Sequence, residues 1–230
     1  MKNQWLWWVL LSGLSLSLWP ASAKAAILIN EILADPPSGS GDANGDGIIS
    51  ATQDEFIELA NTGAGAVSLA NWSLTDLIQV RHVFPVTASI PGYGFLVVFG
   101  GGNPQGFSNA SVASSGSLSL NNAGDSITLQ DANTLFVDLL SYGSEGGKDS
   151  SLARAPDATG PFVLHVSVNG MAFSPGTTLD GASTLPHPSD PPPPVDQGPV
   201  STPEPSSLLM LSMGMLGCSR KRYQALHEAV

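Results

Sequence analysis

Asp54-Glu55-Phe56-Ile57-Glu58-Leu59-Ala60-Asn61 is the stretch on which the fold turns. Phe56 and Ile57 favour extended backbone, and Asn61-Thr62-Gly63 ends the run with residues suited to a turn. A short, apolar-rich run bounded in this way predicts a β-strand over 55–61. The same pattern recurs on both sides. Alternating or continuous apolar runs at 27–33, 72–75, 80–84, 95–99, 117–120, 126–130, 135–142 and 162–166 predict further strands. Turn residues separate them at Pro91-Gly92, at 121–124 and at Asp131-Ala132-Asn133. No part of the body sustains a helical apolar period over about three turns. Many short strands at this spacing predict an all-β antiparallel sandwich or barrel.

Composition agrees. Charged residues make up only 12% of the 230-residue chain, while Gly numbers 25 and Pro 18, which suits short strands joined by turns rather than long amphipathic helices. The formal charge is −11, and the body is more acidic still. Between Lys24 and Thr202 there are 17 Asp and Glu against four basic residues, a net −13. Such a surface repels phosphate backbones, so nucleic acid is not an expected partner, whereas divalent cations are. The single cysteine, Cys218, lies near the C-terminus, so the body has no disulfide and a metal cross-link becomes a candidate stabiliser.

The two ends read as processing segments. Residues 1–23 fit a secretory signal peptide, with Lys2, an apolar stretch from Trp5 to Leu18, and the small-residue site Ala21-Ser22-Ala23. At the other end, residues 181–202 are poor in apolar side chains and contain Pro191 to Pro194, which predicts an extended Pro-rich linker. Pro203-Glu204-Pro205 comes next, then an apolar run from Leu208 to Cys218, then Arg220-Lys221-Arg222. A stiff spacer, a hydrophobic helix and a basic stop make a membrane-associated tail, although the apolar run is shorter than the roughly 20 residues of a full span; the alternative is a surface helix with a frayed end.

The strongest chemical signal is Asp42-Ala43-Asn44-Gly45-Asp46-Gly47-Ile48-Ile49-Ser50. Oxygen-bearing side chains at the first, third and fifth positions, glycine at the sixth and an apolar residue at the eighth match the front of an EF-hand-type loop. Alternate residues aim oxygens at one centre, and oxygen-only donors favour calcium. The expected ligands are Asp42, Asn44, Asp46, the carbonyl of Ile48, and Asp54 closing the site in place of the usual acid, since Gln53 occupies the twelfth position. Strands rather than helices flank it, so this would be a structural calcium loop inside a β-hairpin. The alternative is an Asp/Asn/Gly-rich turn that binds nothing.

These residues carry two family resemblances. The order Pro203-Glu204-Pro205, apolar run, Arg220-Lys221-Arg222 resembles the PEP-CTERM sorting signal over 203–222. That likeness implies an exported protein cut by an exosortase-like membrane enzyme of a Gram-negative bacterium. It would then reside in the envelope, on the surface or in the extracellular matrix. Over 26–180 the chain resembles the lamin-tail domain. Ile29-Asn30-Glu31-Ile32-Leu33-Ala34 matches its opening strand, and Asp54 to Leu59 with Asn61 matches its second. Val67-Ser68-Leu69 before Trp72-Ser73-Leu74 matches the next stretch. Phe84 and Phe95-Leu96-Val97-Val98 match later strands, and Ser151 to Arg154, Gly160-Pro161-Phe162 and Phe173 to Gly176 the close. This second likeness implies an immunoglobulin-like sandwich with a binding or scaffolding role.

Other signals carry less. His82, His165, His187 and His227 have no metal-ligand spacing. Gly100-Gly101-Gly102 lacks the Lys and Ser/Thr of a phosphate loop and reads as a turn. Asp125, Asp131 and Asp138 sit at turn-like positions as caps. Arg154 is expected to tie down the last strand, and Trp72 to lie in the core. The sequence therefore predicts a non-enzymatic exported surface or matrix module, with an unspecified envelope or extracellular polysaccharide or protein as partner. The alternative is a secreted hydrolase, or an accessory module, acting on polysaccharide or nucleic acid, which would need converging acids or an open catalytic metal.

Overall fold

A computed structural model describes residues 26–188 and residue 190. The signal helix expected over 1–23 and the hydrophobic helix expected over 203–222 lie outside the described residues, as does most of the expected linker. The chain divides after Asp190, and every described strand belongs to the first unit.

The larger sheet has six strands: β1 (Ile27–Leu33), β2 (Phe56–Asn61), β7 (Phe95–Phe99), β8 (Ala110–Val112), β11 (Leu152–Arg154) and β12 (Phe162–Leu164). Their order is β12-β11-β1-β2-β7-β8. The second sheet has four: β4 (Ser73–Thr75), β5 (Val80–Val83), β9 (Asp125–Gln130) and β10 (Phe136–Tyr142), in the order β10-β9-β4-β5. A short ribbon pairs β3 (Val67–Ser68) with β6 (Ser89–Ile90). Pairing is antiparallel except between β7 and β8. Among the described residues the one α-helix, α1 (Val166–Asn169), is a single turn.

The two larger sheets face each other across one core. Because side chains alternate across a strand, Ile57 and Leu59 of β2 turn inward beside their partners Val98 and Leu96 of β7. Leu74, Ile127, Leu129 and Leu140 meet them from the opposite sheet. This is the sandwich that the strand pattern predicts, and Trp72 packs against its core.

The six-stranded sheet is also covered on its other side. Every residue of β2 is buried. Phe56 pairs with Phe99, Glu58 with Val97 and Ala60 with Phe95, all on the face away from the sandwich core. Phe56 meets Phe99 and Phe173 edge-on, with ring centroids 5.8 and 6.4 Å apart. Ala60 and Phe95 pack with Ala158 and Leu185. Leu185 falls in the stretch that reads as linker, so packing continues beyond residue 180; its N–H also donates to Tyr93 O at 2.7 Å. A third layer, made largely of the C-terminal segment, lies over the sheet.

Two features depart from the expected strands. Residues 117–120 do not pair as a strand: Ser119 holds a φ of 52°, and Leu120 donates its N–H to the Glu55 carboxylate rather than to a neighbouring backbone. The strands β3, β6, β8 and β11 are not among the runs that the apolar pattern picks out, although β3 and β11 lie in stretches that resemble the lamin-tail domain. Arg154 does tie down the closing strand. Its Nε donates to Ile29 O at 2.8 Å and Nη1 to Gly160 O at 3.2 Å, while the guanidinium lies 4.5 Å from the Phe162 ring centroid.

Covering both faces has a measurable consequence. In a two-layer sandwich Phe56 would face water, and truncating it would cost little. Here Phe56→Ala is expected to lower unfolding free energy by about 3–5 kcal/mol, as for a core aromatic, in urea titrations.

Candidate functional site

The Asp42–Asp54 loop joins β1 to β2, which pair as antiparallel neighbours, so it is a long hairpin connection. Its shape comes from short polar side chains that bond their own backbone. Asp42 Oδ2 accepts from Gly47 N at 2.9 Å, Asn44 Oδ1 from Asp46 N at 3.0 Å, and Asp46 Oδ1 from Ile48 N at 2.9 Å. Gly45 and Gly47 take φ of 70° and 86°, the left-handed region where a side chain would be strained. Asp54 closes the loop from its far end. Its Oδ1 accepts from Asn44 N at 3.0 Å and its Oδ2 from Ser50 N at 2.7 Å.

The structure thus brings Asp42, Asn44, Asp46 and Asp54 into one hydrogen-bonded loop; the Ile48 side chain projects into solvent. One oxygen stands out. Asp42 Oδ1 is buried and has no hydrogen-bond partner among the described residues. Burial raises the Asp54 carboxyl above its usual range, and the nearby charge of Asp42 adds to that rise, while backbone N–H donors oppose it. Among the described residues no three Asp, Glu, His or Cys side chains converge as a metal cage, so a cation here would depend on Asn44 and backbone carbonyls as well as the acids. Oxygen donors of this kind suit a hard cation, and the orphaned Asp42 oxygen is the atom such an ion would satisfy.

Gly100-Gly101-Gly102 does more than turn the chain. It lies against the acidic loop. Gly100 N donates to Glu55 O at 2.7 Å and Gly101 N to Gln53 O at 3.1 Å. A Cβ on Gly102 would stand 2.4 Å from both Asn44 Nδ2 and Asp46 Oδ2. Asn103 N then donates to the Asp46 Oδ2 oxygen at 3.0 Å. The triple glycine is the signal in the sequence, because only residues without side chains allow so close an approach. Ala43, between two of the polar positions, is buried in the cluster of Leu33, Phe56, Val97 and Phe99 and anchors the loop to the covered sheet face.

A second polar cluster, which the sequence does not signal, lies beneath the C-terminal segment. Glu31 and Glu58, in strands matching the lamin-tail pattern, are buried at 1% and 0% exposure. Glu31 accepts from Ser151 Oγ at 2.5 Å, Ser174 N at 3.0 Å and Ser174 Oγ at 2.9 Å. Glu58 accepts from Asn30 Nδ2 at 2.8 Å and Gly176 N at 2.6 Å. Asn30 also donates to Asp157 Oδ1 at 3.1 Å and accepts from Ala158 N at 2.7 Å. These groups fasten the C-terminal segment to the sheet.

Neither His82 nor His165 is placed to activate a nucleophile. His82 Nδ1 accepts from Ser114 N at 3.2 Å, so the neutral ring carries its proton on Nε2, the atom 3.5 Å from Ser111 Oγ. Burial pushes its pKa down to about 4 and keeps the ring neutral. An Nε2–H cannot take the proton of Ser111. His165 Nδ1 donates to Met171 O at 3.0 Å. Of the acids that read as caps, Asp131 Oδ1 does cap its turn, accepting from Asn133 N and Leu135 N, whereas Asp138 Oδ2 accepts from Ile29 N across the sheets.

The glutamate cluster sets a pH dependence. Burial raises Glu31, and burial together with the Glu31 charge raises Glu58 well above 4.5. Above pH 4.5 the unfolded glutamates release protons that the folded ones retain, so stability is greatest at low pH and falls as pH rises through the folded values. Thermal melts are expected to move upward between pH 7.5 and 5, a slope to which Glu55, raised to about 7 by burial, also contributes, and Glu58→Gln to flatten it in part. A slope unchanged by Glu58→Gln would place the effect elsewhere.

A family model for the Lamin Tail Domain matches residues 20–144, and one for the PEP-CTERM protein-sorting motif matches residues 201–222. No curated protein matches the sequence. The first match ends before Ser151, Ser174 and Gly176, so the segment that fastens over Glu31 and Glu58 lies beyond it. The expected sorting residues Pro203, Glu204, Pro205, Arg220, Lys221 and Arg222 lie within the second match and outside the described residues. The matched span, more than half the chain, and the facing β-sheets it builds establish that the protein belongs to the Lamin Tail Domain family and carries a C-terminal PEP-CTERM sorting motif.

Proposed function

We propose that this is a non-enzymatic surface or matrix module whose body is braced by one calcium ion in the Asp42–Asp54 loop. The sorting motif implies export to the bacterial envelope or surface and processing by exosortase. Beyond that, we take the host as Gram-negative and the partner as an envelope or extracellular polysaccharide or protein.

The single observation that carries the calcium reading is the buried, unpaired Asp42 Oδ1 in a loop of oxygen donors. Asp42, Asn44, Asp46, the Ile48 carbonyl and Asp54 would hold the ion. Its positive charge would offset the repulsion between Asp42 and Asp54 and tie β1 to β2 without a disulfide. The non-enzymatic reading is supported by the described acids with raised pKa, which bond to backbone and side-chain donors inside the fold.

Calcium-dependent melting tests this. Extracellular calcium modules bind with a Kd of about 10⁻⁴ M. Calcium at about 100 times that value stabilises by about 2.7 kcal/mol, or a rise in Tm of roughly 5–10 °C for a body of this size. Asp42→Ala with Asp46→Ala is expected to abolish the rise. A melt that is the same in calcium and in chelator would retire the calcium site, and turnover of a polysaccharide or nucleic acid by the purified chain would retire the non-enzymatic reading.

A further inference from the structure

The outer face of the four-stranded sheet contrasts with the rest of this acidic body. Its centre is a band of Ser73, Thr75, Ser126, Thr128, Gln130 and Ser141, set by the pairing of β10, β9 and β4. Each alternates with an inward core residue, such as Leu74, Ile127, Leu129 or Leu140. An apolar rim borders the band on each side. Val80 and Val83 on β5 are 46% and 47% exposed, and Phe136 and Leu139 on β10 are 66% and 46% exposed. Leu77 and Ile78, at 84% and 83%, extend the first rim at the β4–β5 turn. None of these side chains is charged. The other large sheet offers no comparable surface, because its outer side is covered by the chain's own C-terminal segment.

We infer that this face binds a second copy of the same chain, sheet against sheet. Charge permits that occupant at this face. Two bodies of net −13 repel over most of their surfaces, and this face brings no carboxylate of one copy against a carboxylate of the other. The acids at its margins are engaged within the fold: Asp76 pairs with Arg81 at 2.6 Å, Asp138 lies 3.6 Å from Arg154, and at the ends of β9 Asp125 accepts from Ser126 N and Asp131 from Asn133 N and Leu135 N.

The pattern of the face selects it. A two-fold axis running along the strands lays the β5 rim of one copy on the β10 rim of the other, and the hydroxyl band on itself. Apolar then meets apolar, and hydroxyl meets hydroxyl, in both halves of the contact. Strands of three to seven residues, rising about 3.3 Å per residue and about 4.8 Å apart, give roughly 300 Å² per copy. That is below the roughly 800 Å² of a standard stable interface, so the contact is a weak, reversible one. Weak self-contacts suit a chain displayed in many copies on a surface, where local concentration is high.

Sedimentation velocity of the purified chain from about 5 to 500 μM, at low and high salt, tests the inference. The expected result is a reversible dimer with a Kd of tens to hundreds of micromolar that tightens with salt, because added ions screen the repulsion between acidic bodies. Val80→Lys and Leu139→Glu, both at exposed positions and level with each other through Thr75 and Thr128, should each weaken self-association at least about tenfold while leaving the melt unchanged. Mixed one to one, they should associate again, because the new charges meet across the two rims. Ser38→Glu, on an exposed loop away from the face, should change nothing. A monomer throughout the range, association indifferent to Val80→Lys and Leu139→Glu, or association that weakens with salt would each overturn the inference. So would a monomer that binds uncharged polysaccharide through this face. None of these readouts depends on the metal.

Discussion

The constraint on which this structure depends is that β2 is buried on both faces while carrying a carboxylate on one of them. A central strand with apolar residues on alternate positions needs only one partner layer, but here Phe56 and Ala60 require a second. Covering them also covers Glu58 and, next door on β1, Glu31. A buried carboxylate without donors would be costly, so the covering segment has to supply them. Ser151, Ser174 and Gly176 do so directly, and Asn30 links Glu58 to Asp157 and Ala158. The third layer is therefore held by polar groups that exist because the apolar residues beside them needed cover.

The acidic loop belongs to the same arrangement. Ala43 and Phe173 both pack in the cluster around Phe56, so the loop, the C-terminal segment and the central strand meet over one aromatic side chain. From the other side, the glycines at 100–102 bring the end of β7 against Asn44 and Asp46. A cation tying Asp42 to Asp54 would therefore act on the covered face as a whole and not only on the hairpin that carries it. In a body without a disulfide, polar fastening of this kind takes the place of a covalent link.

Charge is distributed to match. Acids are concentrated in loops and beneath the C-terminal segment, where backbone N–H groups and serine hydroxyls receive them. The open face of the four-stranded sheet has none, and its threonines and serines keep it soluble without making it repulsive. Two of the four basic residues of the body serve the edges of that sheet. Arg81, on the edge strand β5, pairs with Asp76, and Arg154 reaches Asp138 on the opposite edge strand, β10.

Much of the fold was legible because it is local. Strand periods, turn residues and the Asp-x-Asn-x-Asp-Gly spacing act between residues a few positions apart, so the strands at 27–33, 55–61, 95–99 and 126–130 and the place of the acidic loop between the first two strands could be read from neighbours in the chain. The acidity of the body and the sorting motif are likewise properties of composition and order. Tertiary structure alone decided which faces are covered, since Glu31 meets Ser174 across 143 positions and Glu58 meets Gly176 across 118. It also decided that 117–120 serves the Glu55 carboxylate instead of forming a strand, that three glycines close on the acidic loop, and that one oxygen of Asp42 is left unpaired. Burial and its electrostatic consequences depend on residues distant in sequence, and no local pattern encodes them.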